Sequence, residues 1–142
     1  MERTLTDLVH RLGQNLDAAF EGRTKGSAIT PRQLAVLRAA KEWNGVSQTT
    51  LVGKTGVDRS TLADIVKRLV QRGWLTRKRD KDDARAYVVR CTNEGAGIIN
   101  AYAPALQAIE KAALAALSKA EGEALQQMLK RVSDRLEGEA TK

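Results

Sequence analysis

The sequence predicts a mainly α-helical α+β fold in which one small β-hairpin interrupts a series of helices. Six segments either place apolar residues at the i, i+3, i+4 spacing of an amphipathic helix or begin with a residue that caps helices. Two short segments in the middle, 74–79 and 86–91, are instead rich in β-forming residues and flank a turn-forming cluster. Because 142 residues are enough to bury one core, we expect a single domain spanning 1–142.

The first helix is expected over Thr4–Phe20, where the apolar residues form one stripe. The stripe consists of Leu5, Leu8, Val9, Leu12, Leu16 and Phe20. Residues at this spacing share one helix face, which must pack against another element. His10 lies off the stripe, so it is expected to be exposed unless it takes part in sensing a ligand or pH.

A polar stretch, Glu21–Ala28, leads to a second helix with a strong start signal. Thr30 is a good N-cap, Pro31 suits the first helical position, and Gln33 completes a capping box. The helix is expected to end near Trp43. Its inward positions are Leu34, Leu37 and Ala40.

Two helices joined by a glycine turn follow. Ser47 caps a short helix over Gln48–Lys54, Gly56 lies in the turn, Asp58 caps the next helix and Gly73 ends it. The inward positions of the second helix are Leu62, Ile65, Val66, Leu69 and Val70, and the outward ones are Ser60, Asp64, Lys67, Arg68 and Gln71. This pattern is typical of a helix-turn-helix, although the turn alone also fits an ordinary αα-hairpin.

A basic hairpin comes directly after the helix-turn-helix. Its strands are expected over Trp74–Arg79 and Ala86–Cys91, with Asp80–Arg85 as the turn. Residues 58–90 hold ten Lys/Arg against five Asp, a net +5, whereas residues 1–57 carry +3 and residues 91–142 carry −1. Concentrated basic charge is typical of a polyanion-binding surface, and a solvated basic face is the alternative. Together these features predict a winged helix-turn-helix that binds double-stranded DNA.

Two helices complete the chain. Thr92 caps a long helix that is expected to reach about Leu117, with Pro104 as a kink or local break. Ser118 and Glu121 form a capping box that begins the last helix. The inward positions of the long helix are Ile98, Tyr102, Leu106, Ile109 and Ala113, and those of the last are Leu125, Met128, Leu129, Val132 and Leu136.

The terminal helices have apolar stripes that a winged helix over 30–92 is too small to cover. We therefore expect residues 1–29 and 93–142 to form a dimerisation region, since two-fold DNA sites require a two-fold protein. The alternative is an intramolecular helical cap on a monomer. The candidate dimerisation residues are Leu8, Leu12, Leu129, Val132 and Leu136.

The composition argues against several other classes of protein. One His and one Cys, with no phosphate-binding glycine motif and no metal-ligand spacing, predict no enzyme, catalytic residue, metal or cofactor. A single cysteine allows no internal disulfide. No run approaches the roughly 20 apolar residues needed to span a bilayer, and the N-terminus lacks a signal-peptide core. A soluble, cytoplasmic protein is expected.

Several spaced motifs together identify a family that the chain resembles. They are Thr30-Pro31-x-Gln33-x-x-x-Leu37, Gln48-x-x-Leu51, Asp58-x-Ser60-Thr61-x-x-x-x-Val66-x-x-Leu69, Arg72-Gly73-Trp74-Leu75, Arg79-Asp80-x-x-Asp83-x-Arg85 and Val89-x-Cys91-Thr92-x-Glu94-Gly95. Over nearly its whole length the chain resembles the MarR (multiple antibiotic resistance regulator) family of bacterial winged-helix repressors. The resemblance implies a homodimer that binds a pseudopalindromic operator and is often released by a small aromatic or phenolic ligand.

The resemblance also implies a DNA-binding set. It comprises Ser47, Gln48, Asp58, Arg59, Ser60, Thr61, Asp64, Lys67, Arg68, Arg77, Lys78, Arg79, Asp83 and Arg85. Within it, the residues expected to face bases are Ser60, Thr61 and Asp64, and those expected on phosphates are Lys67, Arg68, Arg77, Lys78 and Arg79. Asp64 would accept from a cytosine amino group or orient Arg68. Arg85 would enter the minor groove, with Asp83 either holding it in place or serving only as a turn residue.

The regulatory ligand is the least determined part. The family's usual ligand position implies candidates among His10, Arg38, Trp43 and Tyr102, all equally consistent with surface or core packing. Cys91 departs from the leucine usual before the threonine. It is expected to be buried in phase with Val89, but its place just before a helix N-terminus could lower its pKa, so an oxidant sensor is one alternative. A winged helix used only for protein contacts is another.

Overall fold

The computed structural model describes residues 2–140 and shows a mainly helical chain with one small sheet. The helices are α1 (Leu5–Arg23), α2 (Pro31–Glu42), α3 (Gln48–Thr55), α4 (Arg59–Gln71), α5 (Asn93–Leu114) and α6 (Lys119–Ala140). The strands are β1 (Val46–Ser47), β2 (Leu75–Arg79) and β3 (Tyr87–Cys91). The predicted fold class and element order are confirmed, with one strand added.

The predicted helix starts are confirmed by their hydrogen bonds. Thr4 and Thr30 each cap a helix in a capping box, with Asp7 and Gln33 as the reciprocal partners. At the other end of α4, the amides of Gly73 and Trp74 donate to the carbonyls of Val70 and Leu69, and Gly73 has a φ of +80°. This 5→2 and 6→1 pair closes the helix as a Schellman motif, which requires the left-handed conformation that glycine adopts readily.

The sheet has three antiparallel strands in the order β1-β3-β2, where the sequence predicted two. The hairpin register pairs Leu75 with Cys91 and Arg79 with Tyr87. The missed strand, β1, pairs Val46 with Val89 on the other edge of β3. Two residues cannot show an alternating pattern, so the sequence carried no signal for it.

The core lies where α2, α3, α4 and the sheet meet. All its largest fully buried side chains are aliphatic: Leu34, Val36, Leu37, Leu51, Leu62, Val66, Leu69, Leu75 and Val89. The predicted inward residues of α4 are buried except Val70, which is half-buried. The described residues include no buried polar or charged side chain, so hydrophobic burial holds this core together.

One threonine joins the end of α4, the hairpin and the start of α5. The Thr92 hydroxyl donates to the Gly73 carbonyl at 2.7 Å and accepts from the Gly95 amide at 3.0 Å, which confirms Thr92 as an N-cap. Its backbone amide donates to the Trp74 carbonyl at 3.1 Å. The exit from α4 and the entry to α5 are therefore fixed to each other.

The chain divides within α5 into two compact units, one up to Leu106 and one from Gln107 onward. Helix α5 continues through Pro104 and ends at Leu114, three residues earlier than expected, and Ala113 is exposed rather than inward. In the second unit the predicted Ser118–Glu121 capping box is confirmed, with bonds of 2.9 and 3.1 Å.

The apolar stripes of the terminal helices are largely exposed in the single chain. Each of the five candidate dimerisation residues is at least 40% exposed, and Leu136 reaches 62%. Only Phe20 among the stripe residues of α1 is buried. A search of the described residues finds no helix long and apolar enough to cross a membrane.

Two glycines of α5 provide a matched test of the junction. A Cβ at Gly95 would lie 2.2 Å from the Trp74 carbonyl oxygen, whereas one at Gly97 would meet nothing within 4 Å. Gly95→Ala is expected to lower the free energy of unfolding by about 2 kcal/mol, because the backbone must shift. Gly97→Ala is expected to raise it by about 0.5–1 kcal/mol through helix propensity.

Urea unfolding of both variants at one protein concentration measures these changes. Equal effects of the two substitutions would show that the close approach of α5 to Trp74 is absent in solution.

Candidate nucleic-acid interface

The start of α4 is organised by Asp58. Its carboxylate accepts from the Thr61 amide at 3.1 Å and from the Ser60 hydroxyl at 2.8 Å. Hydrogen bonds from Thr61 and Ser60 lower the pKa of Asp58 to about 2, so the cap stays charged at neutral pH. Ser60 and Thr61 are thereby oriented in the first turn of α4. Arg59, the first residue of the helix, is exposed.

The outer face of α4 carries an ion pair. Arg68 Nε donates to Asp64 Oδ2 at 3.1 Å, across one helical turn, and both side chains are well exposed. This contact matches the second of the two roles considered for Asp64, the orientation of Arg68. Lys67 lies beside the pair and is exposed.

The hairpin ends in an ordered wing loop, which we define as residues 80–86. The Asp80 amide donates to the Ala86 carbonyl at 2.9 Å, and the Ala86 amide donates to the Asp83 carbonyl at 3.0 Å. Asp83 Oδ1 accepts from the Arg85 amide at 3.0 Å and lies 3.5 Å from Arg85 Nε. The side chain of Arg85 is 94% exposed, so the loop presents a guanidinium at its tip with a carboxylate behind it.

Alternation along β2 separates the three consecutive basic residues of the predicted phosphate set. Arg77 and Arg79 point to the face that carries Tyr87, and their guanidinium carbons lie 4.5 and 4.8 Å from its ring centroid. Lys78 points to the opposite face, where it lines a shallow groove of about 410 Å³ whose wall also includes Arg79 and Arg90. Sequence reasoning missed Tyr87, which faces Arg79 across the register, and Arg90, which faces Thr76.

The start of α3 supplies the remaining predicted DNA-binding residues. Ser47 Oγ accepts from the Thr50 amide at 3.0 Å and lies 2.9 Å from the Thr50 hydroxyl. The side-chain oxygen of Gln48 is buried and has no hydrogen-bond partner among the described residues. The predicted DNA-binding set therefore occupies three places. The first is the start of α3, the second is the start and outer face of α4, and the third is the wing.

Two of the four candidate ligand residues line one groove. Arg38 and Trp43 line one groove of about 470 Å³ on α2, with Lys41, Lys54 and Ile99 also in its wall. Lys54 Nζ lies 3.9 Å from the centroid of a Trp43 ring.

The other two ligand candidates, His10 and Tyr102, are not part of the wall of this groove. His10 is exposed on α1, and Tyr102 stacks on Phe20 with ring centroids 5.9 Å apart. Neither residue lines the α2 groove.

Cys91 is half-buried at the end of β3, and its thiol donates to the Thr92 carbonyl at 3.4 Å. Burial raises the pKa of Cys91, and the positive charge of Lys41 opposes this only in part. This direction does not favour the alternative in which the adjacent helix N-terminus lowers the pKa of Cys91, because desolvation of the thiolate outweighs the favourable charge of Lys41. A raised thiol pKa argues against an oxidant sensor.

No cluster of metal-ligating side chains occurs in the part of the chain that the structure describes.

A family model described as the MarR family matches residues 29–87, which span α2 to the start of β3. The chain is 28% identical over 127 residues to the transcriptional repressor NicR of Pseudomonas putida, covering 89% of this chain and 80% of NicR. It is 31% identical over 104 residues to the transcriptional regulator HosA of Escherichia coli, covering 73% of this chain and 77% of HosA.

Solved structures agree with these sequence matches. The regulator PcaV of Streptomyces coelicolor, in complex with its natural ligand, is 29% identical with a TM-score of 0.84, covering 94% of this chain and 98% of PcaV. BpsR of Bordetella bronchiseptica, whose DNA binding is regulated by 6-hydroxynicotinic acid, is 26% identical with a TM-score of 0.83, covering 92% and 99%. A cysteine-to-serine variant of Escherichia coli MarR bound to operator DNA is 26% identical with a TM-score of 0.80, covering 90% and 92%.

Proposed function

The chain belongs to the MarR family of DNA-binding transcriptional regulators, and from that premise we propose that it is a homodimeric repressor released from a pseudopalindromic operator by a small aromatic carboxylate. The observation that carries the proposal is the exposed polar face of α4 beside a wing whose tip presents Arg85. A repressor acts where the chromosome lies, so we place the protein in the bacterial cytoplasm. The relatives are transcriptional regulators, and no catalytic role is proposed.

Base recognition is assigned to the start of α4. Helix-turn-helix proteins insert the second helix in the major groove, with its N-terminal residues towards the bases. Ser60 and Thr61 lie at that end, and Asp64 lies one turn further along the same face. Because Asp64 is paired with Arg68, we assign it to orienting that guanidinium rather than to a cytosine.

Backbone and minor-groove contacts are assigned to the basic residues. Lys67 and Arg68 lie about two turns beyond the reading end of α4, and Arg77 and Lys78 lie on β2. Their contacts with phosphates set affinity and make it depend on salt, without reading sequence. Arg85 extends from the tip of the wing, where a narrow minor groove attracts a guanidinium.

Dimerisation is supported by the exposed apolar stripes. Leucines exposed along several turns of one helix are unfavourable in a monomer, since roughly 25 cal/mol is gained for each Å² of apolar surface that becomes buried. A two-fold partner would cover the stripes of α1 and α6 and place two copies of α4 about one helical turn of DNA apart. The solved MarR variant of Escherichia coli, which this chain resembles, was obtained in complex with operator DNA.

The effector is assigned to the α2 groove that holds Arg38 and Trp43. Its wall combines three cations, Arg38, Lys41 and Lys54, and one carboxylate, Glu42, with an aromatic ring, and this excess of positive charge suits a planar anion. BpsR responds to 6-hydroxynicotinic acid, which is an aromatic carboxylate. Because Lys54 lies on α3 and Trp43 follows α2, a ligand that displaces Lys54 from the Trp43 ring would act on the helix-turn-helix directly.

Arg85→Ala tests the operator contact. We expect the affinity for an operator mapped by footprinting to fall about tenfold or more, and the salt slope to decrease by about 1. Fluorescence anisotropy at several salt concentrations measures both. Lys111→Ala removes the same charge from an exposed position on α5 and serves as the control. If Arg85→Ala binds like the control, the minor-groove assignment is wrong.

Leu136→Asp tests the terminal-helix interface. The new charge would be buried in a dimer, so we expect sedimentation velocity to show the mass of one chain where the parent shows two. Gln127→Asp introduces the same charge nine residues earlier, on the opposite face of α6, and is expected to sediment like the parent. An unchanged mass for Leu136→Asp would refute this interface.

Arg38→Ala tests the effector groove. Aromatic carboxylates, beginning with 6-hydroxynicotinic acid and benzoate, are titrated into the protein–operator complex, which we expect to dissociate. The half-maximal concentration is expected to rise about tenfold or more in Arg38→Ala, through loss of a charge-assisted hydrogen bond. Arg32→Ala, exposed on the same helix, is the charge-matched control. Equal responses of the two variants would place the effector elsewhere.

A further inference from the structure

The aromatic ring of Tyr87 contacts two arginines at the base of the wing loop. Tyr87 faces Arg79 across the β2–β3 register, and its ring is half-buried. The guanidinium carbons of Arg77 and Arg79 both lie within 5 Å of the ring centroid. Contacts of this geometry are attractive because the cations interact with the electron-rich face of the ring.

The two arginines differ in their other contacts. Arg79 Nη1 donates a hydrogen bond to the carbonyl of Ala84, inside the wing loop. The side chain of Arg77 is half-buried and, apart from its contact with the Tyr87 ring, makes no hydrogen bond or ion pair to a described residue. Arg77 is therefore available to an external anion, whereas Arg79 already joins the ring of Tyr87 to the loop.

The Ala84 carbonyl belongs to the peptide unit that leads into Arg85. A contact that fixes this peptide acts on the backbone of the residue at the tip of the wing. Asp83 fixes the same backbone from the other side, since its carboxylate accepts from the Arg85 amide. Tyr87, Arg79 and Ala84 thus form a continuous series of contacts from the sheet to Arg85.

We infer that Arg79 and Tyr87 are positioning residues of the wing, and that Arg79 acts on DNA binding through Arg85 rather than through a phosphate of its own. A loop ordered before binding loses less conformational entropy when it enters a groove. The inference rests on the proposed minor-groove role of Arg85. It assigns Tyr87 a role in positioning the wing, and it gives Arg79 a different role from Arg77, which contacts a phosphate.

Double-mutant cycles on operator affinity test this separation. The variants are Arg79→Met and Arg77→Met, each alone and combined with Arg85→Ala. If Arg79 acts through Arg85, the Arg79→Met/Arg85→Ala variant binds within about twofold of Arg85→Ala, whereas the effects of Arg77→Met and Arg85→Ala multiply. Multiplying effects of Arg79→Met and Arg85→Ala would mean that Arg79 contacts DNA independently and would overturn the inference.

The salt dependence gives a second readout on the same samples. Arg77→Met is expected to reduce the salt slope by about 1 in either background, as expected for a lost phosphate contact. Arg79→Met is expected to leave the slope of Arg85→Ala unchanged. A further decrease of about 1 in Arg79→Met/Arg85→Ala would also overturn the inference.

Amide hydrogen exchange in the unbound protein tests the positioning without DNA. The amides of Asp80 and Ala86 report the wing loop, because both donate within it. Arg79→Met and Tyr87→Leu are expected to speed exchange at both amides, and Tyr87→Phe, which keeps the ring, is expected to exchange more slowly than Tyr87→Leu. Unchanged exchange in Arg79→Met would overturn the inference.

This measurement also separates the two proposals. Parent-like affinity of Arg85→Ala would refute the minor-groove contact, while the exchange rates still decide whether Arg79 and Tyr87 order the loop. Circular dichroism shows whether Tyr87→Leu is folded. If Tyr87→Leu is unfolded, Arg79→Met still tests the inference, because Arg79 is exposed and its replacement leaves the core unchanged.

Discussion

The hydrogen bonds of Thr92 are the contact on which the arrangement of the DNA-binding elements depends. The Thr92 hydroxyl bonds both to the Gly73 carbonyl, just after α4, and to the Gly95 amide in the first turn of α5. The Thr92 amide donates to the Trp74 carbonyl. The left-handed Gly73 allows the chain to reverse there, and Gly95 allows α5 to pass close to Trp74. Since the wing begins at Leu75 and ends at Cys91, its direction relative to α4 is set at this point.

Features of this structure were predictable when the residues that determine them lie close together in the sequence. Caps and helix faces depend on residues within four positions of one another, so Thr4, Thr30, Asp58 and Ser118 were identified correctly as helix starts. The pairing of β1 with β3 joins residues more than 40 positions apart and has no local signal. The stacking of Tyr102 on Phe20 has no local signal either, because packing of α5 on α1 decides that contact.

Positions in the candidate site were predicted better than the contacts between them. The exposed face of α4 and the wing tip follow from periodicity alone. The partners of each charge do not follow from it, since Arg85, for example, has Asp80, Asp82 and Asp83 within five positions of it. Asp64 was assigned two alternative roles, and only its 3.1 Å contact with Arg68 favours one. The alternation that separates Lys78 from Arg77 was implicit in the strand, but the resemblance assigned both residues and Arg79 to the same role.

The first helix connects the exposed stripe to the end of the DNA-reading helix. Phe20, at the end of the stripe, is buried and stacks on Tyr102 of α5. Eight residues later the Ala28 carbonyl accepts from Arg72, the residue that closes α4, and the Arg72 guanidinium also lies 5.1 Å from the Trp74 ring. A partner or ligand that displaces α1 must therefore either move Phe20 and Ala28 with it or break their contacts. Because Arg72 is the C-cap of α4 and the wing begins beyond Trp74, either outcome acts on the segment that joins the two DNA-binding elements.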